Sequence, residues 1–244
     1  SEAPNEHLLL MGHWDHLGKG PSSDPNEDTI NNGAVDNATG TAAILEIGEK
    51  IAAGPKPKRS VTVLAVTLEE SGLLGSAYFG ENPLIPLEKI VAGINIDAMQ
   101  PTGPAKDVVV VGAGASQLED TLKAVLAESN RVIRPDPSPQ NGYFYRSDHI
   151  SLAKKGVPML YVDSGIDLIE GGEAAGEAAA KKYTDDNYHK PSDEYADDWN
   201  LAGIEADVKV DYEIVNRLAN NGEWPNWYDG NEFKALRDAQ RKGQ

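Results

Sequence analysis

The chain of 244 residues contains no cysteine. Disulfide frameworks, thiolate ligands for zinc and cysteine nucleophiles are therefore excluded, and any metal must be held by histidine nitrogen or by oxygen. The absence of cysteine also fits an exported protein. We expect a periplasmic or secreted location, although the chain shows no signal peptide of its own.

Long apolar runs and basic residues are also scarce. No stretch approaches the roughly 20 apolar residues that a membrane-spanning helix needs, so we expect no membrane span. Lysine and arginine number 22 against 39 acidic residues, which leaves a formal net charge of −17. Such a balance repels phosphate backbones and anionic lipids. We therefore expect no nucleic-acid partner.

Hydrophobic periodicity predicts alternating strands and helices. Residues 60–67 are rich in β-branched side chains and largely apolar, which is typical of a central strand. Residues 37–54 repeat isoleucine at helical spacing and end with a Gly-Pro pair. Further strands are predicted at 7–12, 90–97, 107–113 and 158–165, and further helices at 117–130 and 204–220. The alternation predicts α/β layers around a largely parallel sheet.

Two segments are predicted to be irregular. Residues 19–33 form a loop rich in proline, serine, aspartate and asparagine. Residues 170–199 are acidic and contain several glycines, and their composition predicts a flexible insertion. No linker divides the chain, so residues 1–244 are predicted to form a single domain.

Histidine and carboxylate side chains follow the predicted strands. Glu69 and Glu70 come directly after strand 60–67, where two adjacent carboxylates repel each other unless a cation or a proton compensates their charge. The carboxyl ends of parallel strands meet at one edge of a sheet, so polar residues after the other strands are expected to converge there. The other candidates are His13, Asp15, His16, Asp36, Asp97 and, from the acidic segment, His189. Imidazole and carboxylate ligands without thiolate suit zinc, and also manganese or cobalt.

Each candidate has a simpler interpretation when it is taken alone. A histidine after a strand, such as His13, is commonly structural, and Asp36 could cap the following helix. Glu69 and Glu70 could occupy a solvated turn. Asp97 is different, because a carboxylate that closes an apolar strand is costly to bury without a partner. The metal-site interpretation depends on all of these residues occurring together.

Six segments together resemble the di-zinc exopeptidases of metallopeptidase family twenty-eight, which includes secreted bacterial leucyl aminopeptidases, glutamate carboxypeptidases and glutaminyl cyclases. The segments are GHWDH, GAVDNATG, LEESGLLGS, NIDAM, YRSDH followed by GVP, and YHKPSDEY. The resemblance runs from about residue 7 to about residue 220. It implies a three-layer α/β/α architecture with a central mixed, mostly parallel sheet, the zinc-exopeptidase (phosphorylase/hydrolase-like) fold.

The resemblance also implies a ligand set for two zinc ions. His13 and Asp97 match the ligands of one ion, and Glu70 and His189 match those of the other. Asp36 matches the carboxylate that bridges both ions. Two Zn²⁺ ions bring more positive charge than these three carboxylates bring negative charge, so the site lowers the pKa of bound water. Mn²⁺ or Co²⁺ could substitute for zinc.

Two further residues match catalytic groups of the family. Glu69 matches the general base, which takes a proton from the metal-bridging water and later passes it to the leaving amine. Asp15 matches the carboxylate that orients the ring of His13. The adjacent glutamates would then have different tasks, because Glu70 binds metal and Glu69 moves protons.

The segment FYRSDH matches a stretch that lines the substrate cleft of the family. Tyr145 or the region of Ser147 is a candidate for stabilising the developing oxyanion, and packing is the alternative for Tyr145. Arg146 could hold a substrate carboxylate or be an exposed loop residue. His16 is interpreted as structural, with support of a neighbouring metal ligand as the alternative. Asn37 departs from the many relatives that carry a second acidic residue at this position.

The implied activity is that of a zinc exopeptidase, and the acidic segment 170–199 favours an aminopeptidase that acts on peptides with a free N-terminus. A carboxypeptidase, a glutaminyl cyclase and a catalytically silent binding domain are the alternatives. Di-zinc carboxypeptidases with an inserted dimerisation domain are disfavoured, because predicted strands and a helix already fill the interval from Asp97 to His189. Residues 1–244 are expected to be either a natural minimal form or a catalytic domain cut from a longer chain.

Overall fold

A six-stranded mixed sheet lies at the centre of the protein, whose computed structural model describes residues 2–242. The strands are, in chain order, β1 (Ala3–His13), β2 (Gly18–Lys19), β3 (Ile30–Asn31), β4 (Arg59–Val66), β5 (Ile90–Asn95), β6 (Asp107–Val110), β7 (Val132–Pro135) and β8 (Met159–Asp163). Strands β2 and β3 form a separate antiparallel ribbon. The order in the sheet is β4-β1-β5-β8-β6-β7, and every neighbouring pair is parallel except β6 with β8. The carboxyl ends of β1, β4, β5 and β8 therefore lie at one edge.

Helices cover both faces of this sheet. They are, in chain order, α1 (Gly40–Ala53), α2 (Leu74–Glu81), α3 (Leu118–Ala127), α4 (His149–Ala153), α5 (Gly172–Asp186), α6 (Ala202–Asn221) and α7 (Lys234–Arg241). Leu8 and Leu10 of β1 pack in a core with α1, α3 and α6, whereas Leu9 and Met11 pack in another with α2 and α4. Because successive side chains of a strand point to opposite faces, β1 is buried on both. The predicted three-layer α/β/α fold with a mostly parallel sheet is confirmed.

The strands and long helices predicted from the sequence are present, with ends that differ by a few residues. The prediction of a central strand at 60–67 is wrong, because β4 pairs with β1 alone among the described strands and forms an edge of the sheet, with most of its side chains only partly buried or exposed. The helix predicted at 37–54 begins at Gly40, because Ala34–Thr39 forms a wide turn in which Asp36 and Asn37 are not helical. The sequence patterns did not indicate β7, α2, α4 or α7, which have at most eight residues each, too few for a hydrophobic period to be recognised. Within residues 2–242, no helix combines the length and the hydropathy that crossing a bilayer requires.

The prediction that segment 170–199 is a flexible insertion is wrong. Its residues Gly172–Asp186 form α5, a helix of 15 residues. Alanine, glutamate and lysine have high helix propensity, and two lysines of α5 pair with acidic side chains one turn later. A Cβ on Gly176 would overlap the carbonyl oxygen of Ile166, so a glycine is needed where the helix meets this loop. The helix has no broad apolar face, which is why hydrophobic periodicity did not indicate it.

Hydrogen bonds beyond the strand ends hold the following loops together. The N–H of Ile96 donates to the carbonyl oxygen of Met11 at 2.8 Å, so pairing continues past β5. The N–H of Trp14 donates to the carbonyl oxygen of Val66 at 3.1 Å, so pairing also continues past β1. The residues that follow β1, β4 and β5 are therefore brought to one place, as expected from the order of the parallel strands.

A buried cluster of charged side chains joins α6 to β6. Arg131 donates to the carboxylate of Asp207 at 2.6 Å and to the carbonyl oxygen of Asp107 at 2.9 Å. Asp211, one turn further along α6, is buried, and its Oδ1 has no hydrogen-bond partner among residues 2–242. Burial, followed by the charge of Asp207, raises the pKa of Asp211 well above its usual range.

Asp211→Asn is expected to raise the free energy of unfolding by about 1–3 kcal/mol near pH 8, because it removes a carboxyl group that is costly to ionise in the interior. The raised pKa of Asp211 means that the folded protein binds more protons than the unfolded chain above about pH 4. Stability is therefore lost as pH rises, and the gain in the variant shrinks toward about pH 4. Urea unfolding across this pH range measures the effect, with exposed Glu205→Gln on α6 as the control. A gain that did not vary with pH would contradict the prediction.

Candidate metal centre

His13 and two carboxylates form a buried group at the strand ends. His13 ends β1 and is 1% exposed. Its Nε2 lies 3.3 Å from Oδ1 of Asp36 and 3.3 Å from Oδ1 of Asp97. Asp36 lies in the turn before α1, and Asp97 follows the end of β5. One ligand atom from each of the three residues lies within 4.8 Å of the other two, so a single ion could contact all three.

Glu70, His189 and the second oxygen of Asp36 form an adjoining group. Nε2 of His189 lies 3.0 Å from Oε2 of Glu70 and 3.3 Å from Oδ2 of Asp36. Asp36 thus presents one carboxylate oxygen to each histidine, which is the arrangement expected of a bridging ligand. With His13 and Asp97, the structure brings together all five residues that the sequence analysis assigns to metal.

The pKa values of this centre show how strongly its charges need compensation. Burial favours neutral His13, but hydrogen bonds with Asp36 and Asp97 outweigh burial and raise the pKa of His13 to about 12. Burial favours neutral Asp36 too, but hydrogen bonds with His13 and His189 hold the pKa of Asp36 well below its usual range. Protons on the histidines thus compensate the carboxylates, which is the task that bound cations would perform. Imidazole and carboxylate ligands fit zinc.

His16 adds a further nitrogen to the second group. Its Nδ1 lies 2.6 Å from Oε1 of Glu70, and ligand atoms of His16, Asp36 and Glu70 lie within 4.8 Å of one another. The short contact lacks hydrogen-bond geometry. Oε1 of Glu70 and both ring nitrogens of His16 are buried without a hydrogen-bond partner within residues 2–242. Buried polar atoms of this kind call for a partner, and a cation beside Glu70 would fit.

Glu69 lies beside the ligands, in surroundings that disfavour its ionised form. Its backbone N–H donates to Oδ1 of Asp15 at 3.2 Å, which holds the residue in place. Burial, and then the charge of Asp97, raises the pKa of Glu69 to about 8, although His13 opposes the shift. Cations bound by the neighbouring carboxylates would lower this pKa, which favours the ionised base.

Asp15 contacts His13 through its main chain as well as its side chain. Nδ1 of His13 lies 3.0 Å from the backbone carbonyl oxygen of Asp15 and 3.6 Å from its carboxylate Oδ1. The sequence analysis assigns this contact to the carboxylate, whereas in the structure the carbonyl oxygen is nearer. The carboxylate is shared with the backbone N–H of Glu69. Because Asp15 contacts Nδ1 of His13, the other ring nitrogen, Nε2, faces Asp36 and Asp97, where a metal ion would bind.

Ser147 and Tyr145, the two oxyanion candidates, have different environments. Ser147 is buried, and its hydroxyl donates to Oδ2 of Asp97 at 2.6 Å while accepting from Nδ2 of Asn95 at 2.7 Å. Tyr145 is exposed, and its hydroxyl donates to Glu232 at 3.2 Å. Ser147 therefore contacts an expected ligand directly. An oxyanion role for either residue stays a prediction.

Asn37 connects the ends of β1 and β5 to the start of α1 through its amide. Nδ2 donates to the carbonyl oxygens of His13 at 3.3 Å and Ile96 at 3.1 Å. Oδ1 accepts the backbone N–H groups of Gly40 and Ala98, each at 3.0 Å. A carboxylate could not donate to the two carbonyl groups. The contacts therefore account for asparagine at the position where the sequence analysis notes a departure.

Asp148 is a buried carboxyl group that the sequence analysis did not single out. Burial raises the pKa of Asp148 to about 6, although the charge of His13 opposes the shift. The charge of Asp148 acts in turn on the pKa of Glu69. The position of Asp148 within the segment YRSDH was the available signal, since that segment already carried the family resemblance.

Imidazole and carboxylate groups gathered at the parallel strand ends of a three-layer α/β/α fold are typical of metal-dependent hydrolases. A family model described as Peptidase family M28 matches residues 1–211. Because this match covers most of the chain, the protein belongs to that family. The family resemblance drawn from the sequence motifs is thereby confirmed.

Curated relatives of the chain carry different names. The chain is 25% identical over 204 residues to the "Probable lipoprotein aminopeptidase LpqL" of Mycobacterium tuberculosis, which covers 76% of this chain and 37% of that protein. It is 34% identical over 97 residues to a "Probable zinc metalloprotease" of Pyrenophora tritici-repentis, covering 40% of this chain and 21% of that protein. It is 33% identical over 108 residues to the "Probable glutamate carboxypeptidase VP8" of Zea mays, covering 42% of this chain and 13% of that protein. The chain thus spans less than two fifths of the length of these relatives.

Solved structures share the fold over most of the chain. The LapA aminopeptidase of Legionella pneumophila superposes with a TM-score of 0.60 at 20% identity, covering 90% of this chain and 53% of that chain. The glutaminyl cyclase of Porphyromonas gingivalis superposes with a TM-score of 0.56 at 18% identity, covering 86% of this chain and 73% of that chain. At these identities the likeness shows the fold alone, and it does not distinguish an aminopeptidase from a cyclase.

Proposed function

We propose that the protein is the catalytic domain of a zinc-dependent exopeptidase, and more specifically an aminopeptidase that releases the N-terminal residue of peptides. The proposal is carried by the convergence of histidine and carboxylate groups at one sheet edge, with Glu69 beside them. Membership of Peptidase family M28 supports peptides as the substrate class. A periplasmic or secreted location stays a prediction, which the absence of cysteine and the lipoprotein name of LpqL support.

In this proposal, five side chains hold two zinc ions. His13, Asp97 and Asp36 would hold one ion, and Asp36, Glu70 and His189 would hold the other. Zinc bound in this way supplies a Lewis acid that polarises the scissile carbonyl group and lowers the pKa of water. Mn²⁺ and Co²⁺ are the expected substitutes, because they accept the same nitrogen and oxygen ligands.

Glu69 moves the protons of the proposed reaction. Its carboxylate takes a proton from the attacking water and passes it to the nitrogen of the leaving amine as the C–N bond breaks. Asp15 contacts both the ring of His13 and the backbone of Glu69, so the base and the first ligand keep a constant relative position. Ser147 holds the second carboxylate oxygen of Asp97 and thereby fixes the orientation of that ligand.

The charges around the site favour a substrate ammonium group over a substrate carboxylate. Segment 170–199, which carries His189, has nine acidic residues against three lysines. Carboxylates attract the N-terminal ammonium group of a peptide and repel its C-terminal carboxylate. The name of LpqL, which matches three quarters of the chain, agrees with this choice. A carboxypeptidase is the second candidate, because VP8 carries that name.

Hydrolysis of a panel of aminoacyl anilides by the zinc-reconstituted protein tests the proposal. Each substrate is paired with its N-acetylated counterpart, which has the same side chain but no positive charge. Free substrates are expected to be cleaved at least about 100-fold faster than blocked ones, because acetylation removes the group that the site recognises. The same panel contains peptides with acidic C-terminal residues and peptides that begin with glutamine.

The products distinguish the candidate functions. Release of a C-terminal residue would replace the aminopeptidase with a carboxypeptidase, and loss of ammonia from N-terminal glutamine without hydrolysis would replace it with a cyclase. A protein that binds zinc and changes none of these substrates would contradict an exopeptidase and favour the catalytically silent domain.

A further inference from the structure

A buried carboxylate outside the ligand set holds the turn that carries Asp36. Asp193 is 1% exposed, and its two carboxylate oxygens accept the backbone N–H groups of Val35 at 3.0 Å and Asp36 at 3.1 Å. Its own backbone carbonyl accepts the N–H of Ala34 at 3.1 Å. One residue therefore binds three successive N–H groups of the turn. Buried N–H groups need such acceptors, because an unpaired one is costly.

Asp193 also belongs to the loop that carries His189. The backbone N–H of Asp193 donates to the carbonyl oxygen of Lys190 at 3.0 Å, so the loop folds back on itself just after His189. The hydroxyl of Tyr183, from α5, donates to Oδ2 of Asp193 at 3.1 Å. The loop is therefore fixed by α5 at one contact and by the turn of Asp36 at the other.

We propose that Asp193 is a positioning residue that sets the separation of Asp36 and His189, and thereby the affinity of the metal ion held between them. The inference rests on the proposed function, since it concerns the metal that the exopeptidase would use. Asp36 and Asp193 are 157 positions apart in the chain, and Nε2 of His189 lies 3.3 Å from Oδ2 of Asp36. A shift of either segment against the other would therefore separate two ligands of one ion.

The hydrogen-bond pattern requires a carboxylate at position 193. Each oxygen of Asp193 accepts one backbone N–H, and neither acceptor can be replaced by a donor. In Asp193→Asn, one oxygen becomes an NH₂ group that would face an N–H group of the turn. Either that N–H loses its acceptor or the turn moves. Because asparagine has nearly the same shape as aspartate, the substitution tests the hydrogen bonds and leaves the packing unchanged.

Competitive zinc titration of the intact chain tests the inference, with a chelator of known affinity reporting the dissociation constant of each ion. Asp193→Asn is expected to raise the dissociation constant of one of the two zinc ions by about 10- to 100-fold, as is usual for residues that orient metal ligands. Glu194→Gln is the matched control, since it removes an exposed acidic charge next to Asp193, and it is expected to bind zinc as the wild type does. The visible absorption of the cobalt-substituted protein is expected to change in Asp193→Asn alone.

The outcomes separate this inference from the proposed function. A folded Asp193→Asn protein with wild-type affinity for both ions would overturn the inference. If that variant does not fold, Tyr183→Phe provides a second test, because it removes only the hydrogen bond to Oδ2 of Asp193. It is expected to raise the dissociation constant of one zinc ion by about 2- to 10-fold. Unchanged affinity in Tyr183→Phe would then overturn the inference. A wild-type protein that binds no zinc would overturn the proposed function, and the inference with it.

Discussion

Glu69→Gln is expected to lower kcat for peptide hydrolysis by about 10²- to 10⁴-fold, the usual contribution of a general acid–base group. Glutamine has nearly the same shape as glutamate but cannot take a proton from water. The backbone N–H of Glu69 would still donate to Asp15, so the strand end and the ligands are expected to keep their positions. Zinc affinity is therefore expected to stay at the wild-type value. Steady-state kinetics and zinc titration of one preparation measure both quantities.

The neighbouring Glu70 provides the matched control for this prediction. Glu70→Gln is the same chemical change one position later, but it alters a carboxylate whose Oε2 lies 3.0 Å from Nε2 of His189. It is expected to weaken zinc binding, and excess zinc is expected to restore part of its activity. Activity of Glu69→Gln that excess zinc restored, or a kcat equal to that of the wild type, would refute the assignment of Glu69 as the base.

Asp36→Asn is expected to abolish most of the stabilisation that zinc gives to the fold. An ion present at about 100 times its dissociation constant stabilises the folded state by about 2.7 kcal/mol, and by about 4.1 kcal/mol at 1,000 times. Asp36 presents one oxygen to His13 and the other to His189. Replacing its carboxylate is therefore expected to weaken the binding of both ions. An amide offers one neutral oxygen in place of two charged ones. Thermal unfolding with zinc and with chelator measures the difference for each protein.

Comparing zinc with chelator within each protein removes any effect of Asp36→Asn on the metal-free fold. Asp198→Asn is the control, because Asp198 is an exposed carboxylate in the loop that follows His189. It is expected to keep the full response to zinc. A response of Asp36→Asn equal to that of the wild type would show that Asp36 is not a shared ligand.

Three of the expected ligands could be singled out from the sequence because they follow predicted strands, whereas Asp36 and His189 were assigned through the family resemblance. The β-branched run 60–67 predicts a strand, and Glu69 and Glu70 come directly after it. His13 and Asp97 likewise lie at or just after the ends of β1 and β5. Since parallel strands end at one edge of a sheet, strand prediction alone places these side chains near one another.

Other contacts of the centre have no local pattern. Asp193 lies in a segment whose composition predicts flexibility, and its hydrogen bonds reach a turn 157 positions earlier. The contact of His16 with Glu70 depends on the path of the loop after β1, and His16 was interpreted as structural. Hydrophobic periodicity reports which face of a strand or helix is buried, and it does not report which distant polar group a loop residue will meet.

The sequence by itself determined the layered fold, the family and the residues that follow the strand ends, because strand burial and the turns after strands depend on residues close together in the chain. Only the tertiary structure decided that segment 170–199 contains α5, and that Ser147 holds Asp97. It also decided that Asp193 joins the turn of Asp36 to the loop of His189. These contacts join segments far apart in sequence, and hydrogen bonds form only where the packed layers bring a donor within about 3 Å of an acceptor.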